Sequence, residues 1–252
     1  MSSEKATAIV LRVIEFSETS SICTLFTREF GKIQALAKGA RRPKGPFESA
    51  LDLLSLCRVV FLRKSSDALD LLTEAKLERR FRPAEGDLVS LYAAYYVAEF
   101  LGEVSDNYDP HPELFDIAVD TLFALRTKGN AARSILRFEM TALRHLGHLP
   151  SFDVCAECGT PIEEIQRVPF AMLAGGALCS RCRVGKKQVA SVHVSVLKMM
   201  KEFAESDSED WQTVAIDRRV YGELRGVLNN YMAHLLGHPP KMHKLLGNLA
   251  NA

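Results

Sequence analysis

The sequence predicts an α+β chain with more than one domain: an N-terminal five-stranded β-barrel, then an all-helical region that contains an inserted four-cysteine module. The first eighty residues contain five short apolar runs separated by turn residues. After Pro83 the hydrophobic spacing changes to a helical period, and two C-x-x-C pairs follow further on. We place the β-module at 1–82 and the helical region at 83–252, with the insertion at about 150–190.

The five apolar runs favour a small barrel of the OB type, which binds oligonucleotides and oligosaccharides. In chain order they are TAIVLRVIEF, SICTLFTRE, GKIQALAKG, LLSLCRVVFLRK and ALDLLTEAKLERRF. Five short strands with one longer connection after the third are typical of that barrel, and an open β-sheet is the alternative. Alternation in the last run places five residues on one face: Leu69, Leu71, Thr73, Ala75 and Leu77.

Helical spacing dominates after the β-module. Asp87 is expected to cap a first helix, whose predicted apolar face contains Leu88, Leu91, Tyr92, Tyr95 and Phe100. Pro112 suits the first turn of a second helix, and Asn130 can cap a third. Two further helices are predicted at 192–205 and 217–236, with the acidic segment ESDSED between them as a solvated loop.

Four cysteines have the spacing of a structural zinc site. Two C-x-x-C pairs are separated by twenty residues, and their members are Cys155, Cys158, Cys179 and Cys182. Two thiolates three positions apart can bind one ion, and a second such pair completes a tetrahedron. We therefore expect one structural Zn²⁺ with a closed coordination sphere. Cys23 and Cys57 lie in strand-like runs and are predicted to be small core residues.

A catalytic zinc site is the main alternative interpretation of these cysteines. The tripeptide HPE at His111 matches the H-x-E half of the nucleobase-deaminase signature. The other half requires P-C-x-x-C, but Val154 and Leu178 precede the two cysteine pairs. The sequence also contains no P-loop, G-x-S-x-G or H-E-x-x-H. We therefore expect a protein without catalytic activity, and a zinc-stabilised protein-docking module is a third interpretation.

The net charge of +1 conceals a basic N-terminal segment. Residues 1–82 contain 15 Lys and Arg against 10 Asp and Glu, whereas residues 83–150 contain 5 against 10. The candidate nucleic-acid contacts lie in the loop KGARRPKGP and at strand ends: Lys32, Lys38, Arg41, Arg42, Lys44, Arg63 and Lys64. Clustered cations bind polyanions through counterion release, although a solvated basic turn needs no partner. Because several phenylalanines of the β-module occupy core-like positions, we expect backbone electrostatics to outweigh base stacking.

The N-terminus and the cysteine usage indicate a cytoplasmic protein without membrane contact. The first apolar run is interrupted by Arg12, unlike a secretory leader. Uncharged stretches do not approach the ~18–20 residues of a membrane span. In a reducing compartment the six cysteines are thiols or metal ligands rather than disulfides.

The order of these parts resembles the RecO family of bacterial DNA repair proteins. The likeness covers nearly the whole chain, and its most specific part is LFTREFGKIQALAKGARRPK. The resemblance implies an OB domain, a helical domain and a zinc module held by the four cysteines. It also implies binding to single- and double-stranded DNA, strand annealing, and work with RecR to help RecA replace single-strand-binding protein.

The resemblance further implies roles for particular residues. Four cations of the basic loop carry over as DNA contacts: Lys38, Arg41, Arg42 and Lys44. Arg133 and Arg137, on the third predicted helix, are candidates for binding the acidic C-terminal tail of single-strand-binding protein. The expected location is the bacterial cytoplasm, with association to the nucleoid during repair.

Overall fold

The chain divides into two compact units. The computed structural model describes residues 2–42, 45–47, 50–64, 68–163, 165–205 and 209–246. By contacts the division falls between Lys128 and Gly129. The first unit therefore contains the β-module together with two helices, and the second contains the cysteines and the remaining helices. The boundary predicted at residue 82 separates strands from helices, whereas the contacts group the first two helices with the strands.

Five strands of the first unit form a closed barrel. They are β1 (Ser2–Glu15), β2 (Ser21–Thr27), β3 (Gly31–Ala37), β4 (Leu56–Arg63) and β5 (Asp70–Arg79). Their order in the sheet is β1-β2-β3-β5-β4, and β1 closes it by pairing with both β2 and β4. Every pairing is antiparallel except that of β3 with β5.

The barrel interior is filled by apolar side chains from all five strands. Val10, Leu25 and Ile33 are completely buried there, with Phe61 and Leu72 beside them. Cys23 and Cys57 belong to the same core, as the sequence predicts. Burial raises the pKa of the Cys23 thiol to about 11. Burial, with a smaller contribution from nearby carboxylates, raises the pKa of the Cys57 thiol to about 12. Both thiols are therefore protonated at neutral pH and behave as small apolar groups.

A bulge in β5 makes the predicted alternation of that strand wrong before Glu74 but not after it, where Ala75 and Leu77 contact the core as predicted. Leu72 pairs with Phe61 and Glu74 pairs with Val60, so Thr73 is an extra residue in the ladder. The Thr73 hydroxyl donates to the carbonyl of Val60 at 3.0 Å. A bulge reverses which residues face inward, and here Leu72 faces the core in place of its neighbour Leu71.

Two helices complete the first unit. Helix α1 (Leu88–Val104) begins as predicted, with the Asp87 carboxylate accepting the N–H of Ser90 at 3.0 Å. Its predicted apolar face is only partly correct, because Phe100 is buried but Leu88 is 59% exposed and the other predicted residues are half-buried. The buried residues are Ser90, Ala93, Ala94, Tyr96, Val97, Ala98, Phe100 and Leu101. Helix α2 (Pro112–Ala124) begins at its proline as predicted. Phe115 of α2 packs on Phe26 of β2, with ring centroids 6.0 Å apart.

The second unit combines helices with a small sheet. The helices are α3 (Ala131–His145), α4 (Val194–Glu205), α5 (Arg218–Leu236) and α6 (His243–Leu246), with a short 3-10 helix at Glu209–Gln212. The sheet has the order β7-β6-β8, from β6 (Arg167–Ala171), β7 (Gly176–Ala177) and β8 (Val189–His193). Residues 206–208 of the predicted acidic loop lie outside the described residues. Within the described chain, no helix combines the length and apolar character needed to cross a bilayer.

A close backbone approach fixes the start of β3. Gly31 has φ +67°, and a Cβ added there would lie 1.9 Å from the carbonyl oxygen of Asp109. The same segment is bonded to the strand, because the N–H of Tyr108 donates to the carbonyl of Lys32 at 3.0 Å. Only glycine permits both the left-handed conformation and this contact.

We expect Gly31→Ala to lower the free energy of unfolding well beyond the loss caused by Gly86→Ala. Gly86 has a similar φ of +72° but open space around it, so its substitution costs only the left-handed strain of ~1–2 kcal/mol. Urea unfolding followed by circular dichroism measures both losses. Equal losses would show that the approach of Asp109 does not constrain β3.

Candidate nucleic-acid interface and metal centre

The loop after β3 lies beside the turn between β1 and β2. The N–H of Arg41 donates to the carbonyl of Thr19 at 3.1 Å, and the Arg41 guanidinium pairs with Glu15 at 2.9 Å. Lys38 and Arg42 are exposed. We call Lys38, Arg41 and Arg42 the loop cluster. Two contacts from Arg41 thus hold the cluster against the end of the β1–β2 hairpin.

The ion pair of Arg41 leaves its charge accessible to a ligand. The Arg41 and Glu15 side chains are 43% and 73% exposed, and exposed pairs contribute about 0–1 kcal/mol. A phosphate can therefore replace the carboxylate at small cost. Phe16 follows Glu15 and is 61% exposed, so an accessible aromatic ring lies near the Arg41–Glu15 pair. Lys44, a predicted contact of the same loop, lies outside the described residues.

The other predicted cations of the barrel surround Tyr108. Lys32 donates from Nζ to the carbonyl of Gly102 in the last turn of α1, at 2.8 Å. The Arg63 guanidinium lies 4.0 Å from the centre of the Tyr108 ring. Lys64 is exposed, and its N–H donates to the Asp70 carboxylate at 3.0 Å.

This group supports a buried carboxylate. Asp70 is only 3% exposed and accepts the hydroxyl of Tyr108 as well as the N–H of Lys64. Burial, followed by the hydrogen bond to Asp70, raises the pKa of Tyr108, and the charge of Arg63 opposes that rise. Arg63 therefore packs on the ring whose hydroxyl bonds to the buried Asp70.

The two groups of cations point in opposite directions along the sheet. Lys38 follows the carboxyl end of β3, and Arg63 is the last residue of β4. Because β3 is parallel to β5 and β4 is antiparallel to it, these two strand ends face opposite ways. Ala37, Leu72 and Phe61 lie side by side in the sheet, so Lys38 and Arg63 leave that row in opposite directions. The two groups also have different neighbours, because Arg41 contacts the β1–β2 turn whereas Arg63 lies over Tyr108.

Arg133 and Arg137 of α3 make contacts inside the second unit. Arg133 donates from Nε to the carbonyl of Val214 at 2.9 Å. Arg137 donates from Nη1 to the carbonyl of Phe203, near the end of α4, at 2.6 Å. Both arginines thus support carbonyl groups of neighbouring segments, a role that the sequence does not reveal.

The four predicted cysteine ligands converge in the second unit. All four Sγ atoms of Cys155, Cys158, Cys179 and Cys182 lie within 4.8 Å of one another. The Sγ atoms of Cys158 and Cys179 are 3.8 Å apart. A tetrahedron with Zn–S bonds of ~2.3 Å has edges of about 3.8 Å, so this spacing fits such an ion. Gly159, with φ +69°, allows the turn after the first pair.

The thiols differ in acidity because they compete for the same protons. Burial opposes ionisation of Cys155, but backbone hydrogen bonds, the largest involving Cys179, outweigh it and lower its pKa to about 6. Side-chain hydrogen bonds, first with Cys158 and then with Cys179, raise the pKa of Cys182 to about 12. A bound divalent cation favours the thiolate form of its cysteine ligands.

His111 takes no part in this group. It precedes α2 in the first unit, and its Nε2 lies 3.0 Å from a carboxylate oxygen of Asp109. Among the residues that the structure describes, the four cysteines form the only cluster of three or more Cys, His, Asp or Glu suited to a metal ion. The deaminase interpretation, which needs His111 as a ligand, is therefore not supported.

Lys32→Met is expected to lower the free energy of unfolding by ~1–2 kcal/mol, because a charged donor to the α1 terminus is lost. Lys38→Met removes an exposed cation without such a bond and should leave stability within ~0.5 kcal/mol of the starting protein. Urea unfolding of the two variants tests this contrast. A larger loss of stability in Lys38→Met than in Lys32→Met would show that the bond from Lys32 to α1 is not the stabilising one.

Comparison with known protein families covers nearly the whole chain. Residues 1–81 match the family described as "Recombination protein O N terminal", and residues 85–244 match "Recombination protein O C terminal". These two matches meet where the strands give way to helices.

Individual relatives agree with the domain matches. The chain is 39% identical to "DNA repair protein RecO" of Rhodopirellula baltica, over 95% of this chain and 97% of that protein. It is 34% identical to the protein of that name from Myxococcus xanthus, over 91% of each chain. The corresponding protein of Anaeromyxobacter dehalogenans is 32% identical over 92% of this chain and 91% of its own length. The chain therefore belongs to the RecO family.

Proposed function

We propose that this chain is a DNA-binding recombination mediator without catalytic activity that acts in DNA repair. The observation that supports this most strongly is the pair of family matches, which together span residues 1–81 and 85–244. The relatives named "DNA repair protein RecO" extend the same role to this chain. In this proposal it binds single- and double-stranded DNA, anneals complementary strands, and helps RecA to load with RecR.

The barrel is proposed to be an OB fold. Its order β1-β2-β3-β5-β4, with β1 closing the sheet, supports this assignment. OB folds bind nucleic acid on the face of the second and third strands and with the adjoining loops. The loop cluster and Phe16 lie at the end of the β1–β2 hairpin and after β3, where such a ligand would meet them.

DNA contacts are proposed mainly at the loop cluster and Lys44. Lys38 and Arg42 are exposed, and Arg41 has only a surface carboxylate to release. Arg63 and Lys64 form a second, lesser group, because Arg63 also stabilises the surroundings of Asp70. Lys32 contributes least, because its ammonium donates to the end of α1.

The four cysteines are proposed to bind one structural Zn²⁺. Four thiolate ligands satisfy a tetrahedral ion and leave no position for a reacting water. The ion would hold the two C-x-x-C turns together and so contribute to the folding of this part of the second unit.

The proposed protein partners are RecR and the acidic tail of single-strand-binding protein, on the basis of the family. Arg133 and Arg137 remain the candidates for the tail, although each already donates to a carbonyl of its own unit. A cytoplasmic location, at the nucleoid during repair, follows from a chromosomal DNA partner.

Annealing of complementary oligonucleotides tests the DNA proposal. Lys38→Ala/Arg41→Ala/Arg42→Ala should slow annealing about tenfold or more, because three phosphate-neutralising groups are lost from one surface. The starting protein should anneal without nucleoside triphosphate, since holding two neutralised strands together requires no chemical energy.

A matched control removes three exposed cations of the second unit: Lys187→Ala/Lys198→Ala/Arg219→Ala. It has the same change in charge and should anneal nearly as fast as the starting protein. If both triple variants lost equal activity, general charge rather than the loop cluster would explain binding. An absolute requirement for ATP would contradict the proposed mechanism.

Metal analysis of the purified protein tests the zinc proposal. We expect about one Zn²⁺ per chain, a much lower content in Cys158→Ser, and an unchanged content in Cys23→Ala, which alters a buried core thiol instead. Because thiolates are the ligands, zinc should also be released as the pH falls. Full zinc content in Cys158→Ser would rule out four-cysteine coordination.

A further inference from the structure

An exposed aromatic ring lies at the end of α2. Phe123 is 56% exposed, whereas its neighbours Leu122 and Leu125 are 8% and 0% exposed. Full burial of a ring of this size would stabilise the fold by about 1.5–3 kcal/mol, and Phe123 gives up much of that contribution because most of its ring is exposed. The position is therefore available for contact with another molecule.

Two guanidinium groups flank the Phe123 ring. The Cζ atom of Arg79, the last residue of β5, is 5.3 Å from the ring centroid, and that of Arg126 is 5.6 Å from it. Both arginines are exposed. Among the side chains that the structure describes, neither guanidinium has a carboxylate within ion-pair distance.

The surroundings of the ring are apolar with an excess of positive charge. A shallow depression beside it is lined by apolar side chains of β1, α2 and the segments around β4 and β5, and by Arg79, Arg80 and Arg126. Arg80 pairs with Asp52 at 2.8 Å. Among the described residues Arg79 and Arg126 have no carboxylate partner, so two positive charges remain at this surface and its ligand is expected to be anionic.

The combination of a ring and two guanidinium groups fits single-stranded DNA best. Each nucleotide of a single strand presents a planar base that can stack and a phosphate that can accept from Arg. Bases in a duplex are already stacked and are not accessible to such a ring. An acidic protein segment would use the arginines but would leave the ring without a stacking partner.

We infer that Phe123, Arg79 and Arg126 form a contact for one unstacked base and the adjacent phosphates of single-stranded DNA. This inference rests on the proposed DNA-binding function and specifies part of it. Phe123 and Arg126 lie outside residues 1–82, where electrostatics was expected to outweigh stacking, and the contact involves none of the predicted site residues. Because the bases of a duplex are not accessible to the ring, this contact makes the chain bind single strands more tightly than duplexes.

Binding measurements with Phe123→Leu test the contact. At fixed salt, the affinity for an oligothymidylate should fall about tenfold, because a base–aromatic contact is lost, while the affinity for a duplex of equal length stays the same. Leu88→Ala is the control, since Leu88 is a similarly exposed apolar residue of the same unit, and it should change neither affinity. An abasic strand of equal length should bind the starting protein and Phe123→Leu equally well.

Fluorescence gives a second readout that does not depend on the leucine variant. The chain has a single tryptophan, Trp211, so Phe123→Trp in a Trp211→Phe background carries one indole, at the site. Stacking on a base should quench its emission when oligothymidylate is added. The abasic strand and polyglutamate should quench it little.

Each outcome is decisive. Unchanged affinity of Phe123→Leu together with no quenching would overturn this inference alone, provided that the starting protein binds DNA. Equal quenching by polyglutamate would also overturn it, in favour of an acidic protein partner. No binding of oligothymidylate by the starting protein would overturn both the inference and the proposed function.

Discussion

The double pairing of β1 is the constraint on which the first unit depends. The first part of β1 pairs with β4, from Ser2 opposite Arg63 to Ile9 opposite Leu56, and the later part pairs with β2. The change of partner coincides with a register shift after Val10. At this point β1 bonds to the segment that precedes β4: Val10 exchanges backbone hydrogen bonds with Leu54 and Ser55. One strand thereby closes the barrel without leaving an open edge.

This closure determines where the functional groups lie. The β1–β2 hairpin extends past the barrel, so its turn meets the loop after β3 and bonds to Arg41 through Thr19. A loop fixed in this way loses less entropy when it binds a ligand. The parallel pairing of β3 with β5 means that Lys38 and Arg63 follow their strands in opposite directions. Topology thus gives the two groups of cations different neighbours: the β1–β2 turn for Arg41, and Tyr108 for Arg63.

The second unit relies on polar interactions within its interior. Glu139 of α3 and Arg225 of α5 have 0% and 6% exposed side chains and form a two-bond ion pair, in which Arg225 also donates to Asn229 at 2.9 Å. Removing one partner of such a buried pair lowers the free energy of unfolding by about 3–5 kcal/mol, because the other charge is left buried without a partner. The cysteine cluster likewise draws together two distant turns of the chain. Both features link segments far apart in sequence.

Local signals in the sequence predicted local structure well. The cap at Asp87, the start of α2 at Pro112 and the five strands are confirmed, because each depends on residues close together in the chain. The convergence of the four cysteines is also confirmed, because two C-x-x-C pairs at this spacing are typical of one shared ion. The buried face of α1 was predicted correctly only at Phe100, and the inward side of β5 only beyond its bulge. The buried face of α1 includes several small alanines, and the inward side of β5 changes at a bulge opposite Val60. Neither feature leaves a clear periodic signal in the sequence. The structural use of Lys32 depends on a carbonyl seventy residues away, which no spacing rule reveals.

The salt dependence of single-stranded DNA binding tests the central claim most directly. If the loop cluster binds phosphates, the logarithm of the affinity should fall linearly with the logarithm of salt concentration, with a slope of about −0.7 per contacted phosphate. In Lys38→Ala/Arg41→Ala/Arg42→Ala the slope should become shallower by about 2, as expected for three lost contacts. A slope that is near zero in the starting protein, or that is the same in both proteins, would contradict the claim that these cations bind DNA.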